Sequence, residues 1–309
     1  MNKLIATISL YFFCHICMAQ QDTAQTYITT FKEKLVTSIS VESNNDSFYI
    51  SYKDDAATDA SRIKFSPNSQ MRLVGNVSYK ILNFSFGFTP SFLKTNKELE
   101  SSKDIRFSTR FSFKKWQQSI TIIKQKGFLL DFKDPSKYFF PELQSLKIGR
   151  TTSYVFNDKF SYKTLFNYNE WQKKSAGSFI ANLAIYYTNL KSYDSNNPIN
   201  SEIYSATISP AYYYNLVINK RFLIGGGASL GAGLTSMDGE VNVLSELSMN
   251  AKMGYNHKNF FSFFSYSGTS FFLNHTNESY NNSFEFLKLE IGYRFDPPKK
   301  LKKIYHKIL

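Results

Sequence analysis

Apolar and polar residues alternate at period two along much of this chain, the signature of strands with two chemically different faces. In Gln70–Lys80, Met71, Leu73, Val77 and Tyr79 oppose Arg72, Asn76 and Ser78; in Lys103–Lys114, Ile105, Phe107, Phe111 and Phe113 oppose Arg106, Ser108, Arg110 and Ser112. Leu247, Met249, Ala251, Met253 and Tyr255 oppose Ser248, Asn250 and Lys252. In the last segment, Leu287, Leu289, Ile291, Tyr293 and Phe295 oppose Lys288, Glu290, Gly292 and Arg294. Opposite Phe222, Ile224, Leu230 and Leu234 stand Gly225, Gly227, Gly231 and Gly233, a face that permits close packing or a bend in the wall. The same alternation sets Phe160, Tyr162, Phe166 and Tyr168 against Ser161, Lys163 and Asn167, which predicts a further strand with the aromatic side on lipid.

Several segments run to about ten residues, near the roughly 9–11 that let a tilted strand cross a bilayer. Lipid tolerates no open sheet edge, so strands with such outer faces should close into a barrel. Tight turns are predicted at Lys80–Asn83, Lys114–Trp116, Asn157–Lys159, Asn219–Arg221 and Asn256–Asn259. Longer connections are predicted at Pro90–Ser102, Gly127–Leu146, Glu170–Gly177, Leu190–Glu202, Thr235–Glu246 and Asn274–Asn282. Short periplasmic turns with longer external loops are the habit of outer-membrane barrels. The expected fold is therefore all-β: a single antiparallel transmembrane barrel of 12–14 strands. The count is open because three strand candidates lie between Asn157 and Arg221, where only an even number fits. The alternative fold is a secreted sandwich or jelly roll.

Composition sharpens this picture. The chain has 30 Phe and 21 Tyr against two Trp, too many rings for one soluble core but suited to the outside of a barrel. Met1–Ala19 has Lys3, an apolar run from Leu4 to Phe13 and a small residue at Ala19, the layout of a cleaved signal peptide. Both cysteines, Cys14 and Cys17, fall inside it, leaving no thiol for a disulfide or metal site. The expected organisation is a signal peptide at 1–19, a barrel at 20–295 and a basic tail at 296–309, with the protein in the outer membrane. Asp296-Pro297-Pro298 ends the ladder, and the lysines that follow are expected to form a solvated tail whose partners, if it has any, are anionic lipid or cell-wall polymer rather than nucleic acid.

Several stretches together carry a resemblance: YVFNDKFSYKTLFNYNEWQKKSAGSF (Tyr154–Phe179), FSPNSQMRLVGNVSYK (Phe65–Lys80), ISPAYYYNLVINKRFLIGG (Ile208–Gly226), MGYNHKNFF (Met253–Phe261) and IGYRF (Ile291–Phe295). With these the chain resembles an outer-membrane barrel family of Bacteroidetes bacteria, domain of unknown function 4421. The resemblance implies a full-length barrel and an outer-membrane location. It transfers no activity and no catalytic residue.

Candidate chemistry is sparse. His257 falls in a turn, His275 in a loop and His306 in the tail, none beside a Ser as a Ser–His hydrolase requires. No two histidines stand at ligand spacing, and Asp54, Asp55 and Asp59 lack calcium-loop spacing, so no cofactor or metal is expected. What remains is an inward polar face bearing Arg72, Arg106, Arg110, Lys163, Lys252, Lys288 and Arg294, with Glu290 as counter-charge. Rings of basic side chains in a lumen favour anions. The aromatic-rich stretch Gly127–Leu146 is expected to be a lid or a plug. The expected function is a channel or gated pore for a small polar or anionic solute, not an enzyme. The alternatives are a closed structural or assembly barrel that presents loops to partners, and an enzyme acting on lipid or surface polymer. Expected partners are outer-membrane lipid, the insertion machinery that reads the terminal aromatic pattern, and the solute.

Overall fold

The computed structural model describes residues 24–52, 61–67, 71–93, 103–131, 137–166, 169–192, 199–274 and 278–301. In chain order come a short helix α1 (Ala24–Tyr27) and strands β1 (Ile28–Thr30), β2 (Leu35–Tyr52), β3 (Ser61–Pro67), β4 (Met71–Tyr79), β5 (Leu82–Phe88) and β6 (Lys103–Phe113). Strands β7 (Trp116–Asp131) and β8 (Lys137–Val155) lead to a segment with helix α2 (Lys163–Phe166) and strand β9 (Glu170–Gln172). The chain ends with β10 (Ala176–Ser192), β11 (Ile199–Ile218), β12 (Phe222–Met237), β13 (Glu240–His257), β14 (Phe260–Asn274) and β15 (Glu278–Phe295).

Twelve of these strands form one antiparallel wall in the order β2–β4–β5–β6–β7–β8–β10–β11–β12–β13–β14–β15. The ring closes because β15 pairs with β2 along its whole length, from Phe295↔Leu35 to Glu278↔Tyr52. A closed wall leaves no edge for unpaired backbone groups, the condition for a sheet that faces lipid. Its outside is apolar: Ile208, Leu230, Leu234, Val243, Leu289 and Ile291 are all more than half exposed. Phe113, Trp116, Phe156, Phe179, Phe222 and Tyr293 stand exposed near the end that carries the two- and three-residue turns at 80–81, 114–115, 219–221 and 258–259. That end is the turn end, and the opposite one is the loop end. Among the described residues no helix is long and apolar enough to cross a membrane; the crossing is made by strands.

Toward the loop end the wall changes membership. β3 pairs with β2 at Phe48↔Phe65 to Tyr52↔Ser61 and with β7 at Lys64↔Asp131 to Pro67↔Phe128. There it stands alone where β4, β5 and β6 stand lower down, so three wall strands give way to one. β11 reaches 20 residues, about twice what a tilted crossing needs, and the long strands carry the wall beyond the lipid band.

Several sequence expectations are corrected. A count of fourteen strands includes Leu35–Glu42 and Ser47–Lys53 as two strands, but β2 runs unbroken from Leu35 through Tyr52. Gly127–Leu146 is not a lid, because β7 and β8 continue through it as a hairpin bent by a register shift between Lys126 and Phe128. Thr235–Glu246 is not a long loop. Asp238 and Gly239, with φ of 49° and 96°, turn the chain in two residues. Phe160–Phe166 is not a wall strand; Phe160 is buried and Lys163 starts α2. Tyr168, Asn167 and His275 lie outside the described residues, as do Asp54, Asp55, Asp59 and His306. So does the signal-peptide segment Met1–Ala19.

The segment 156–175 instead folds into the lumen at the turn end and, with α1 and β1, forms a plug. β1 and β9 pair antiparallel, Ile28↔Gln172 to Thr30↔Glu170. Removing the supposed strand also restores an even strand number between the turns.

Candidate functional site

The lumen holds the polar chemistry of this protein, and its floor is the plug. Asn157 begins it: its carboxamide oxygen accepts the Lys159 amide at 3.0 Å and its Nδ2 donates to the Gly177 carbonyl at 2.7 Å. Ser161 then caps α2, its Oγ accepting the Thr164 amide at 3.2 Å. Gln172, fully buried on β9, accepts the Ser161 amide at 2.7 Å and donates to the Lys159 carbonyl at 2.7 Å. Lys163 pairs with Glu170 at 2.8 Å, within the plug.

Wall side chains hold the plug by its backbone. Lys252 of β13 donates to the carbonyls of Thr164 and Leu165 at 3.0 and 3.3 Å, the unsatisfied end of α2. Asn215 of β11 donates to the Ser161 carbonyl at 3.1 Å. In return Trp171 Nε1 donates to the Lys220 carbonyl at 2.8 Å and Asn169 Nδ2 to the Lys80 carbonyl at 2.7 Å, tying the plug to two wall turns. Apolar contacts complete the fit: Trp171 packs with Val36, Leu223, Phe261 and Phe263, and Phe160 and Leu165 with Val155, Ile180 and Tyr213. The inward glycines of β12 make room. A Cβ on Gly225 would stand 2.7 Å from Leu165 Cδ2, and one on Gly227 would strike the Tyr213 ring.

Above the plug lies a charged cluster. Glu42 of β2 pairs with Arg72 at 2.9 Å and Arg106 at 3.1 Å, and Arg72 reaches Asp104 at 3.2 Å. Glu290 accepts hydrogen bonds from Ser38 and from Asn76, and Lys288 stands 3.3 Å away. Charges buried this deeply are retained only with such partners. Aromatic faces serve as a second kind of partner. Arg106 lies 4.2 Å from the Phe286 ring, Arg110 4.7 Å from Phe166, Lys147 4.3 Å from Phe284 and Lys252 3.9 Å from Phe263. Arg294 lies 3.9 Å from Phe31, at the plug.

Three adjoining cavities of about 160, 170 and 150 Å³ lie between these groups. Their walls are hydroxyls and carboxamides, among them Ser119, Ser267, Thr121, Asn182 and Asn250, with Arg106, Arg110, Lys252 and Lys288 contributing charge. Polar cavities of this size have room for several waters or one small solute. Nearer the loop end the inner face turns apolar. Phe48, Phe128, Leu130, Leu143, Leu190 and Ile203 meet as one buried cluster, with Phe48 and Phe65 stacked at 4.4 Å.

Of the basic residues singled out from sequence, Arg72, Arg106, Arg110, Lys252, Lys288 and Arg294 all stand on wall strands with contacts inside the barrel. Lys163 does not share that wall. Sequence reasoning passed over Glu42, Asp104, Glu246 and Lys147. Glu42 could have been found from its place on the polar side of Val36–Glu42. Among the described residues no group of three or more His, Cys, Asp or Glu is placed to hold a metal ion. His257 sits at the turn end beside Tyr255.

A closed strand wall with an apolar exterior and a polar, plugged interior defines an outer-membrane β-barrel. The chain belongs to the family described as "Domain of unknown function (DUF4421)", whose profile matches residues 20–295. No curated protein matches it. Similar solved structures include the outer membrane protease OmpT from Escherichia coli, at 8% identity and a TM-score of 0.39 over 86% of this chain and 98% of that one. Another is OmpT of Vibrio cholerae, at 8% identity and a TM-score of 0.35 over 84% and 98%. The translocator domain of the autotransporter NalP from Neisseria meningitidis gives 8% and 0.37 over 85% and 88%.

Proposed function

We propose that this barrel is a gated conduit for a small polar or anionic solute, closed in the state described. The observation that carries the reading is the polar chamber lined by Arg106, Arg110, Lys252 and Lys288, with Glu42 beside them, lying between the plug and the apolar cluster at the loop end. A barrel that served only as a scaffold has no need of a basic, hydroxyl-rich chamber; one that passes anions does. The plug is the movable part, since it is held mostly through side-chain contacts to backbone carbonyls at its rim.

The test is current across a planar bilayer. The native protein is expected to be silent. A barrel with Trp171→Ala and Phe128→Ala is expected to conduct and to prefer anions, and adding Lys288→Glu is expected to weaken that preference. If the double variant inserts, keeps its heat-modifiable gel mobility and still passes no current, the closed structural reading replaces this one.

A further inference from the structure

One sector of the outer wall carries positive charge at the level where lipid head groups begin. The register sets Lys103 of β6 opposite Lys126 of β7, Lys126 opposite Gln144 of β8, and Gln144 opposite Lys191 of β10, a single row across four strands. These residues point away from the lumen, because Asp104, Gln125 and Ser145, each next to one of them in sequence, are buried inside. Lys124 stands one pleat lower, paired with Ile105 and Leu146. The row lies above the outer tyrosines: Lys191 is four residues beyond Tyr187 toward the loop end. Below it the outer face is isoleucine, Ile105, Ile122, Ile148 and Ile185, interrupted by Arg150 between Ile120 and Ile185.

Within the patch Glu142 stands 3.2 Å from Lys126. At the edge of the sector Glu202 of β11 faces outward and accepts the Tyr187 hydroxyl at 3.1 Å, and on the far side of the barrel Glu285 of β15 faces outward. Arg150 stands six residues below Gln144 on β8, about 20 Å along the strand and too far for its stem to reach the row.

We propose that the outer face of β6, β7, β8 and β10 binds a phosphate-bearing membrane lipid. The lysine row takes the phosphates, and the isoleucine face takes the acyl chains. Anionic head groups are attracted by basic residues held at the membrane surface, and a row fixed on neighbouring strands orders them at a spacing set by the sheet.

The test uses the full-length barrel in detergent, with lipid retention read by native mass spectrometry. Probes are bis-phosphorylated lipid A, its dephosphorylated form and inorganic phosphate. The native protein is expected to retain lipid A and to shed the dephosphorylated form. Lys103→Gln/Lys124→Gln/Lys126→Gln/Lys191→Gln is expected to retain at least roughly tenfold less. Lys220→Gln/Lys258→Gln, at the turn end, is expected to behave as native. Heat-modifiable mobility checks that each variant is folded, and Lys124→Gln alone, expected to lose part of the retention, serves should the fourfold variant not fold. Equal retention by native and lysine-depleted barrels overturns the proposal. Equal retention of the dephosphorylated lipid, or displacement of lipid A by excess free phosphate, overturns it as well.

Discussion

Trp171 and Phe128 are both buried aromatic residues inside one barrel, yet they shut its two ends by different means. Trp171 belongs to a segment that is not wall; it arrives with β9, packs on Val36, Leu223, Phe261 and Phe263, and ties itself to the Lys220 carbonyl. Phe128 belongs to the wall itself and meets Phe48, Leu130, Leu143, Leu190 and Ile203, all of them on wall strands. The turn end is closed by inserted chain with capped, hydrogen-bonded backbone. Among the described residues the loop end is narrowed by apolar side chains of the strands themselves. A seal of the first kind can leave as a unit; one of the second kind can only loosen residue by residue.

The strongest way to break this contrast is to weaken both ends at once. Trp171→Ala and Phe128→Ala each remove a large buried ring, worth about 3–5 kcal/mol. The two sit in separate clusters, so their costs are expected to add. Urea titration of heat-modifiable mobility should show the sum, and steady current should appear only in the pair.

Trp171→Ala alone is expected to cost about 3–5 kcal/mol of plug docking and to leave the wall intact. Amide hydrogen exchange should rise across 156–175 while β13 and β14 stay protected. Protection lost equally in plug and wall would erase the distinction between the two seals.

Gly225→Leu comes next. A side chain there runs into Asn215 and Leu165, an overpacking cost of about 1–3 kcal/mol, and the plug should lift as the Asn215 contact to the Ser161 carbonyl is displaced. The smallest expected effect is Ser161→Ala, which removes the α2 cap at about 1 kcal/mol. Its readout is faster exchange of the Thr164 amide only.

The wall was legible in the sequence because lipid and lumen demand opposite chemistry, and β13 and β15 obey it at nearly every position. The plug was not. Phe160 and Tyr162 alternate with polar neighbours as wall residues do, but both faces of that segment lie inside the barrel, so period two carried no information about lipid. The β7–β8 hairpin failed for the converse reason. Its inner face is as apolar as its outer one, and Gly127, with φ of 81°, sits at a bulge that shifts the register. One miss was avoidable, since Asp238-Gly239 is a strong two-residue hairpin signal. One trace of the plug stood on the glycine face of β12, at Gly225, where a Cβ would crowd Leu165.

The substitution of β3 for β4, β5 and β6 has a mechanical consequence. Barrel diameter grows with strand number, so the girth contracts toward the loop end and side chains from opposite walls can touch without any insert. The wide end has the reverse geometry and must be stoppered. Opening the narrow end means stretching a hydrogen-bonded hoop, whereas opening the wide end means swinging a tethered cork joined to β2, β8 and β10. The described wall narrows from twelve strands to ten, and the cork sits at its wider end.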